Sequence, residues 1–443
     1  MIIAIPDKVN HIIGTLTRYG FEAYAVGGCV RDAILGRTPN DWDITTNALP
    51  EEVKNLFRRT VDTGIKHGTV SIMIDKERFE VTTYRTDGEY EDFRHPSEVT
   101  FTKSLKEDML RRDFTINAMA YNEKDGLVDF FEGQRDLKKG IIRAVGVPGE
   151  RFSEDALRIL RALRFSAQLG FLIDEETKAA MKDLAPLLVN ISAERIQEEL
   201  IKILLSDRPD ILREAYEIGI TKEFLPEFDK LMTTTQETPH HMYTVGEHTL
   251  HVLKGVPKEK VLRLAALFHD IGKPRLKTID ENGIAHFKKH ALEGERITHE
   301  ILRRLKFDND TLYRVCKLVL YHDDRIEPKP AVVRRAVSRI GAELFPDLLI
   351  LQRADTLAQS EYKREEKLNR ITEVERIFID IQRKSECVSI KELAINGKDL
   401  LDMGIPQGKQ IGAILSELLE LVLADPALNT REKLIAIVKK TDI

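Results

Sequence analysis

The chain has 443 residues, 42% of them hydrophobic and 32% charged, with a formal net charge of −5. That length suits two to four domains with apolar cores. The slightly acidic balance excludes a global positive field, so contact with a polyanion has to come from a local basic patch. Three cysteines, Cys29, Cys316 and Cys387, lie far apart without CxxC spacing, which argues against a disulfide frame or thiolate metal site and fits a reducing cytoplasm. "MIIAIPDKVNHIIGTL" lacks the basic-then-apolar pattern of a signal peptide. No apolar run approaches the ~20 residues of a membrane helix, so no membrane partner is expected.

In chain order, Val9, Ile12, Ile13 and Leu16 recur at helical spacing and predict a helix over 7–20. "EAYAVGG" predicts a strand ending at a glycine turn, and "VRDAILG" a short helix closed by Gly36. "WDITT", "GTVSIMID", "RFEVTTYR" and "GLVDFFEG" are strand candidates, rich in branched and aromatic residues. After about residue 150 the strand signal nearly vanishes. "SEDALRILRALRFSAQLGF", "ISAERIQEELIKILL" and "DILREAYEIGI" are amphipathic helices, and helices continue through 240–385 to "GAILSELLELVLA". The expected class is α+β: a small mixed α/β head, then an elongated all-helical neck, body and tail. The weakest boundaries lie near Pro226–Thr238 and Lys384–Val388.

"GGCVRDAILGRTPNDWDI" (Gly27–Ile44) carries the first chemistry. On a strand, Asp41 and Asp43 face one side and Trp42 the other, toward the core. Two adjacent carboxylates repel unless a cation separates them, and Mg²⁺ pairs such oxygens with substrate phosphates. Gly27 and Gly28 let backbone N–H groups approach a triphosphate, and Arg31 is placed to hold phosphate oxygens. Alone, a DxD or a GG reads equally as a solvated turn or a helix start. The combination at this spacing is far more specific. It resembles the nucleotidyltransferase superfamily, and within it the bacterial group of CCA-adding enzymes and poly(A) polymerases.

Further segments extend the resemblance in family order. "RRDFTINAMAYN" (Arg111–Asn122) is similar to the family's RRDFTxNA segment. This implies that Arg112 meets phosphate or sugar of the incoming nucleotide and that Asp113 orients the arginines; the bland alternative is a basic helix start capped by Asp113 and Thr115. "DFFEG" (Asp129–Gly133) matches a structural segment coupling head to neck. In "EDALRILRALRF" (Glu154–Phe165), Asp155 and Arg158 stand three apart on a helix and are surface neighbours. Cytosine and adenine share an exocyclic amine beside an unprotonated ring nitrogen. A carboxylate accepts from the first and a guanidinium donates to the second, whereas uracil and guanine would leave buried polar groups unpaired. A solvated i, i+3 ion pair is the bland reading. The resemblance carries the template role onto Asp155, Arg158, Arg161 and Arg164. It also implies that "SAERIQEEL" (Ser192–Leu200) buttresses the template helix. The loop "TDGEYEDFRHPSEVTFTKSLKEDML" resembles one whose loss accompanies CC-only addition, so its presence implies full CCA addition.

A second constellation lies in "GEHTLHVL", "LAALFHDIGKP", "KKHALEGE" and "LYHDD". It resembles the HD phosphohydrolase superfamily, implying that His248, His269, Asp270, His290 and His322 bind one or two divalent ions. Imidazole suits Ni, Fe or Zn and carboxylate suits Mg or Mn; a metal-activated water would attack a phosphoester. The terminal aspartate stays open between Asp323 and Asp324, Ala291 follows the third histidine, and scattered histidines also serve structural roles. In the C-terminal "LAINGKDLLDMGIPQGKQIGAIL", which resembles the family's tail, Gly397, Gly404, Gly408 and Gly412 either admit RNA phosphate near a helix start or punctuate helices.

The resemblance covers nearly the full length. It implies a nucleotidyltransferase head (1–145), a helical neck with the template helix (146–228), an HD-type domain (229–345) and a tRNA-binding tail (346–443). The implied activity is template-free addition of C, C and A to tRNA 3′ ends from CTP and ATP. Asp41 and Asp43 would be catalytic and hold Mg²⁺, and a second divalent ion (Ni, Mn, Mg or Fe) would occupy the HD site. Implied partners are tRNA, ATP and CTP, the protein being a monomer or homodimer. The rivals are an A-adding-only enzyme, a poly(A) polymerase, and an HD phosphodiesterase with an inert RNA-binding head.

Overall fold

The computed structural model describes residues 2–64, 68–88 and 99–440. Residues 89–98, the middle of the polar loop from which full CCA addition was inferred, lie outside the described residues. Contacts divide the chain into two compact units, Met1–Pro226 and Glu227–Ile443. Among the described residues no helix is long and apolar enough to cross a membrane.

The first unit begins with α1 (Asp7–Arg18), which buries Val9, Ile12, Ile13 and Leu16 as their spacing predicts. There follow β1 (Ala23–Val26), α2 (Gly28–Ile34), β2 (Asp43–Thr46), α3 (Pro50–Leu56), β3 (Thr60–Gly64), β4 (Thr69–Ile74) and β5 (Glu77–Thr83). A two-stranded ribbon, β6 (Arg85–Asp87) with β7 (Val99–Phe101), precedes α4 (Leu105–Leu110), β8 (Met119–Asn122) and β9 (Gly126–Asp129). Seven strands form one mixed sheet in the order β3-β4-β5-β2-β1-β8-β9, in which β2 and β5 run parallel.

Three features depart from the sequence expectation. β8 lies inside "RRDFTINAMAYN", whose bland reading was a helix start. All four of its residues are buried, so it shows no alternation, and a short apolar run cannot be assigned by period. Trp42 is half-buried rather than in the core, because β2 begins only at Asp43 and strand alternation does not reach Trp42. Finally, "EDALRILRALRF" is not one helix. α5 (Gly133–Lys139) is followed by the paired strands β10 (Ile141–Ile142) and β11 (Leu172–Ile173) and by α6 (Pro148–Glu154), which stops just before Asp155. Asp155 is extended at φ −145°, and its carboxylate accepts the Leu157 N–H at 3.0 Å. That satisfies one of the orphan donors at the start of α7 (Leu157–Leu169). Asp129 takes a similar structural part, accepting the N–H groups of Phe131, Gly133 and Gln134. The unit continues through α8 (Glu175–Leu184), α9 (Ala193–Leu204), α10 (Leu212–Glu217) and α11 (Thr221–Phe224).

The second unit is largely helical. After α12 (Pro226–Thr233) come α13 (Val245–Gly255), α14 (Lys260–Phe268), α15 (Lys273–Leu276), α16 (His290–Arg304), α17 (Asn309–Tyr321), α18 (Pro330–Ile340), α19 (Phe345–Ala358) and α20 (Arg364–Arg383). From Leu262 to Phe268 every residue of α14 is buried, so it is a central helix rather than an amphipathic one. Close packing decides Gly272: a Cβ there would stand 2.2 Å from the His290 carbonyl oxygen and 2.6 Å from the Gly294 nitrogen. In the tail, Gly397 opens α21 (Gly397–Asp402) and Gly408 precedes α22 (Lys409–Ala424), so both punctuate helices.

Candidate active site and metal centre

In the first unit the antiparallel register pairs Val26, the last residue of β1, with Asp43, the first of β2. This sets Asp43 beside the Gly27–Gly28 turn. Gly27 has φ +84°, and a Cβ there would lie 3.2 Å from Arg112 Nη1; glycine alone takes that conformation without strain. A cavity of about 490 Å³ opens at this point. Gly27, Gly28, Arg31, Asp41, Asp43, Arg112, Asp155, Arg158, Arg161 and Arg164 all line it, so the nucleotide- and metal-binding candidates of head and neck meet there. Asp113, expected to orient the arginines, lies in the same wall, and the structure adds Arg111, Asn117, Phe165 and Arg195.

Most of the arginines are held from behind. Arg161 donates two hydrogen bonds to Asp113 Oδ2, at 2.8 and 2.6 Å. Burial pushes the Asp113 carboxyl up, but the Arg161 charge, the Asn117 hydrogen bond and Arg158 outweigh it and bring its pKa to about 2. Asn117 in turn accepts from Arg31 Nη1 at 2.7 Å. Arg164 Nε donates to buried Glu199 of α9 at 2.5 Å, and Arg195 of α9 donates to Asp155 Oδ2 at 2.7 Å. Arg158 is only 9% exposed; it donates to Glu154 at 2.7 Å and to the carbonyls of Arg151 and Arg111 at 3.1 and 2.9 Å. Asp108, fully buried, accepts from Arg111 at 2.8 Å and Thr45 at 3.1 Å and pairs with Arg112 at 3.5 Å.

Asp41 and Asp43 differ. Among the described residues neither has an ion pair. Loss of hydration, then the neighbouring Asp41 charge, raises the Asp43 pKa to about 6 against the opposing pull of Arg112. Arg112 Nε is a buried donor with no partner. Two unneutralised carboxylates facing an array of guanidiniums fit a divalent cation that carries a polyphosphate. Sequence reasoning missed Asp108, Glu199, Asn117, Phe165 and Arg195. Asp108 stands three and four residues before Arg111 and Arg112, a helical spacing that was available as a signal.

The second unit brings the predicted HD residues together. His248 sits on α13, His269 and Asp270 follow α14, His290 opens α16 and His322 ends α17. His269 and His322 each direct Nδ1 to the backbone carbonyl three residues back, at 2.8 and 2.7 Å, and His290 does the same at 2.9 Å. This leaves the Nε2 atoms facing one another. His248, His269 and Asp270 form one potential metal-binding group, and Asp270, His290 and His322 a second. Asp270 Oδ2 is buried and makes no hydrogen bond, although Lys273 Nζ stands 2.7 Å away. Burial opposes ionisation of Asp270, but Lys273, then His269, hold its carboxyl well below the usual range. These donors fit one or two divalent ions.

Besides Asp323 and Asp324, a third carboxylate lies beside the cluster. Asp355 of α19 meets His248 Nε2 at 2.8 Å. Asp324 pairs with Arg339 at 2.5 Å, and Asp323 and Asp355 both line the adjoining cavity of about 240 Å³, outside the two groups. Asp355 is seven residues after Leu348 and four after Leu351, both buried, so an acid within the buried stripe of α19 was its sequence signal.

Three family models match successive parts of the chain. Residues 23–143 match the poly A polymerase head domain, 170–232 the probable RNA and SrmB-binding site of polymerase A, and 239–360 the HD domain. The last match takes in Asp355. Over 439 residues the chain is 35% identical to the CCA-adding enzyme of Levilactobacillus brevis, covering 98% of this chain and 97% of that protein. The chain belongs to the CCA-adding enzyme family. Its match to the Lactiplantibacillus plantarum CCA-adding enzyme is 54% identical over 198 residues, 45% of this chain and 49% of the relative; in this match the chain spans about half the length of the curated relative. Among solved structures, the Bacillus stearothermophilus CCA-adding enzyme in complex with CTP aligns at a TM-score of 0.72 and 29% identity, covering 97% of this chain and 96% of that one. The Thermotoga maritima CCA-adding enzyme complexed with tRNA shares the fold at a TM-score of 0.63 and 22% identity, covering 99% and 97%.

Proposed function

We propose that this chain adds C, C and A to the 3′ end of tRNA from CTP and ATP, without a nucleic-acid template. The observation that carries this is the pair Asp41 and Asp43, unneutralised in a cavity lined with arginines. The two carboxylates would hold Mg²⁺, which when bound activates the tRNA 3′-hydroxyl and neutralises the leaving pyrophosphate. Arg31, Arg112, Arg161 and Arg164 bind the triphosphate and sugar. Asp155 and Arg158 read the base: each keeps polar capacity beyond its present partners, for the shared amine and ring nitrogen of cytosine and adenine. The bond formed joins the 3′-oxygen to the α-phosphorus; the bond broken is the one to the β-phosphate, and pyrophosphate leaves. Residues 1–145 would be the catalytic head, 146–228 the neck and the helices beyond the HD match, from residue 361, a tRNA-binding tail. The HD cluster supports a second activity, hydrolysis of a phosphoester. There His248, His269 and Asp270 would hold one divalent ion, with Asp355 beside His248 as a further candidate, and Asp270, His290 and His322 would hold another.

The test is incorporation of labelled CTP and ATP into tRNA transcripts ending at each intermediate length. The expected product on a transcript lacking all three nucleotides is extension by C, C and A. A long adenosine tail would indicate a poly(A) polymerase, and failure to add cytidine from CTP alone an A-adding enzyme. Phosphodiesterase activity without any incorporation would leave an inert head.

A further inference from the structure

Phe165 lies on α7, is 5% exposed and forms part of the cavity wall. Three guanidiniums converge on its ring: the Cζ atoms of Arg164, Arg31 and Arg161 stand 4.0, 5.0 and 5.6 Å from the centroid. All three distances fall within the range in which a cation is drawn to an aromatic face. The three arginines are anchored separately, Arg161 to Asp113, Arg164 to Glu199, and Arg31 to Asn117 and Asp32. Like charges gathered this closely repel, and the negative face of an aromatic ring among them offsets part of that repulsion. The ring of Phe165 is a group that all three share. It is itself braced: Phe114, fully buried beside Asp113, meets it edge-on at 5.7 Å and 81°.

We propose that Phe165 is a positioning residue for nucleotide addition, whose ring gathers Arg31, Arg161 and Arg164 and aims them into the cavity. The proposal rests on the nucleotide-binding role given above to that cavity. Its physical content is the negative face of the ring rather than its bulk. A leucine fills comparable space but offers the guanidiniums no attraction.

Fluorinated phenylalanines separate the two, because each added fluorine weakens the negative face while leaving shape nearly constant. The full-length protein would carry phenylalanine, its 4-fluoro, 3,5-difluoro or 3,4,5-trifluoro analogue at position 165, together with the Phe165→Leu variant. KM for CTP and for ATP is expected to rise stepwise along the series, by about fivefold to tenfold at the trifluoro member, with kcat and the melting temperature nearly constant. Phe165→Leu should resemble the trifluoro protein. KM values that stay flat along the series while Phe165→Leu is impaired would reduce Phe165 to packing and overturn the proposal, as would an effect confined to kcat. Absence of nucleotide addition by the unmodified protein would count against the proposed function instead. Equilibrium binding of CTP across the same series then decides the role of Phe165 by itself.

Discussion

His248 Nε2 stands 2.8 Å from Asp355 Oδ1, across 107 positions of the chain. The contact ties α19 to the histidine cluster and makes Asp355 a candidate for the proposed metal site. Replacing Asp355 by alanine should lower divalent-metal affinity at the HD cluster by about 10- to 100-fold, the usual cost of losing an orienting or ligating partner. Titration with Mn²⁺ or Ni²⁺ measures this. CTP and ATP incorporation should stay within about twofold, since Asp355 belongs to the other unit. Undiminished metal uptake would remove Asp355 from the site.

Asp41→Ala should abolish incorporation of CTP and ATP together. In the proposed reaction the two nucleotides would share the cation site and differ only at the base, so a selective loss of one would contradict a common Asp41–Asp43 site. Binding of the tRNA itself, followed by gel shift, should persist.

Arg158 is the sharper probe of selectivity. Its guanidinium is nearly enclosed, held by Glu154 and two backbone carbonyls. Arg158→Gln keeps a donor but loses the charge and the fixed orientation. Discrimination against UTP and GTP should fall by roughly tenfold or more, because the wrong base no longer leaves a buried charged donor unpaired. Misincorporation assays with each nucleotide alone read this directly; unchanged selectivity at reduced rate would refute the template role.

Asp113 makes a pH-dependent contribution to stability. Its folded pKa of about 2 lies below the ordinary 3.8. A depressed acid adds stability that is complete above the unfolded pKa and is lost as pH falls through the folded one. Urea unfolding should therefore find Asp113→Asn less stable by roughly 2 kcal/mol near neutral pH. The gap should close between about pH 4 and pH 2. A gap independent of pH across that window would show that the charge of Asp113 is not its cause.

Local readings came through where one segment carried its own geometry. The apolar stripe of α1, the glycine turn next to Asp43 and the adjacent His269 and Asp270 are relations between near neighbours. The helical period, the pleat and the needs of a phosphate or a metal are enough to express them. The break before α7 was less accessible, because one Asp155 side chain bonding the Leu157 N–H ended a periodic run that looked continuous. β8 was hidden for the opposite reason, since burial on both faces erases alternation.

The sequence by itself determined which chemical groups this protein possesses and the order in which they occur, because side-chain type and local spacing follow directly from covalent order. Tertiary structure alone decided their pairing. Asp113 with Arg161 is separated by 48 positions, Asp155 with Arg195 by 40, and His248 with Asp355 by 107, and no period reaches across such gaps. Which carboxylate neutralises which cation, and which two are left without an ion pair among the described residues, is set by how the helices and the sheet pack.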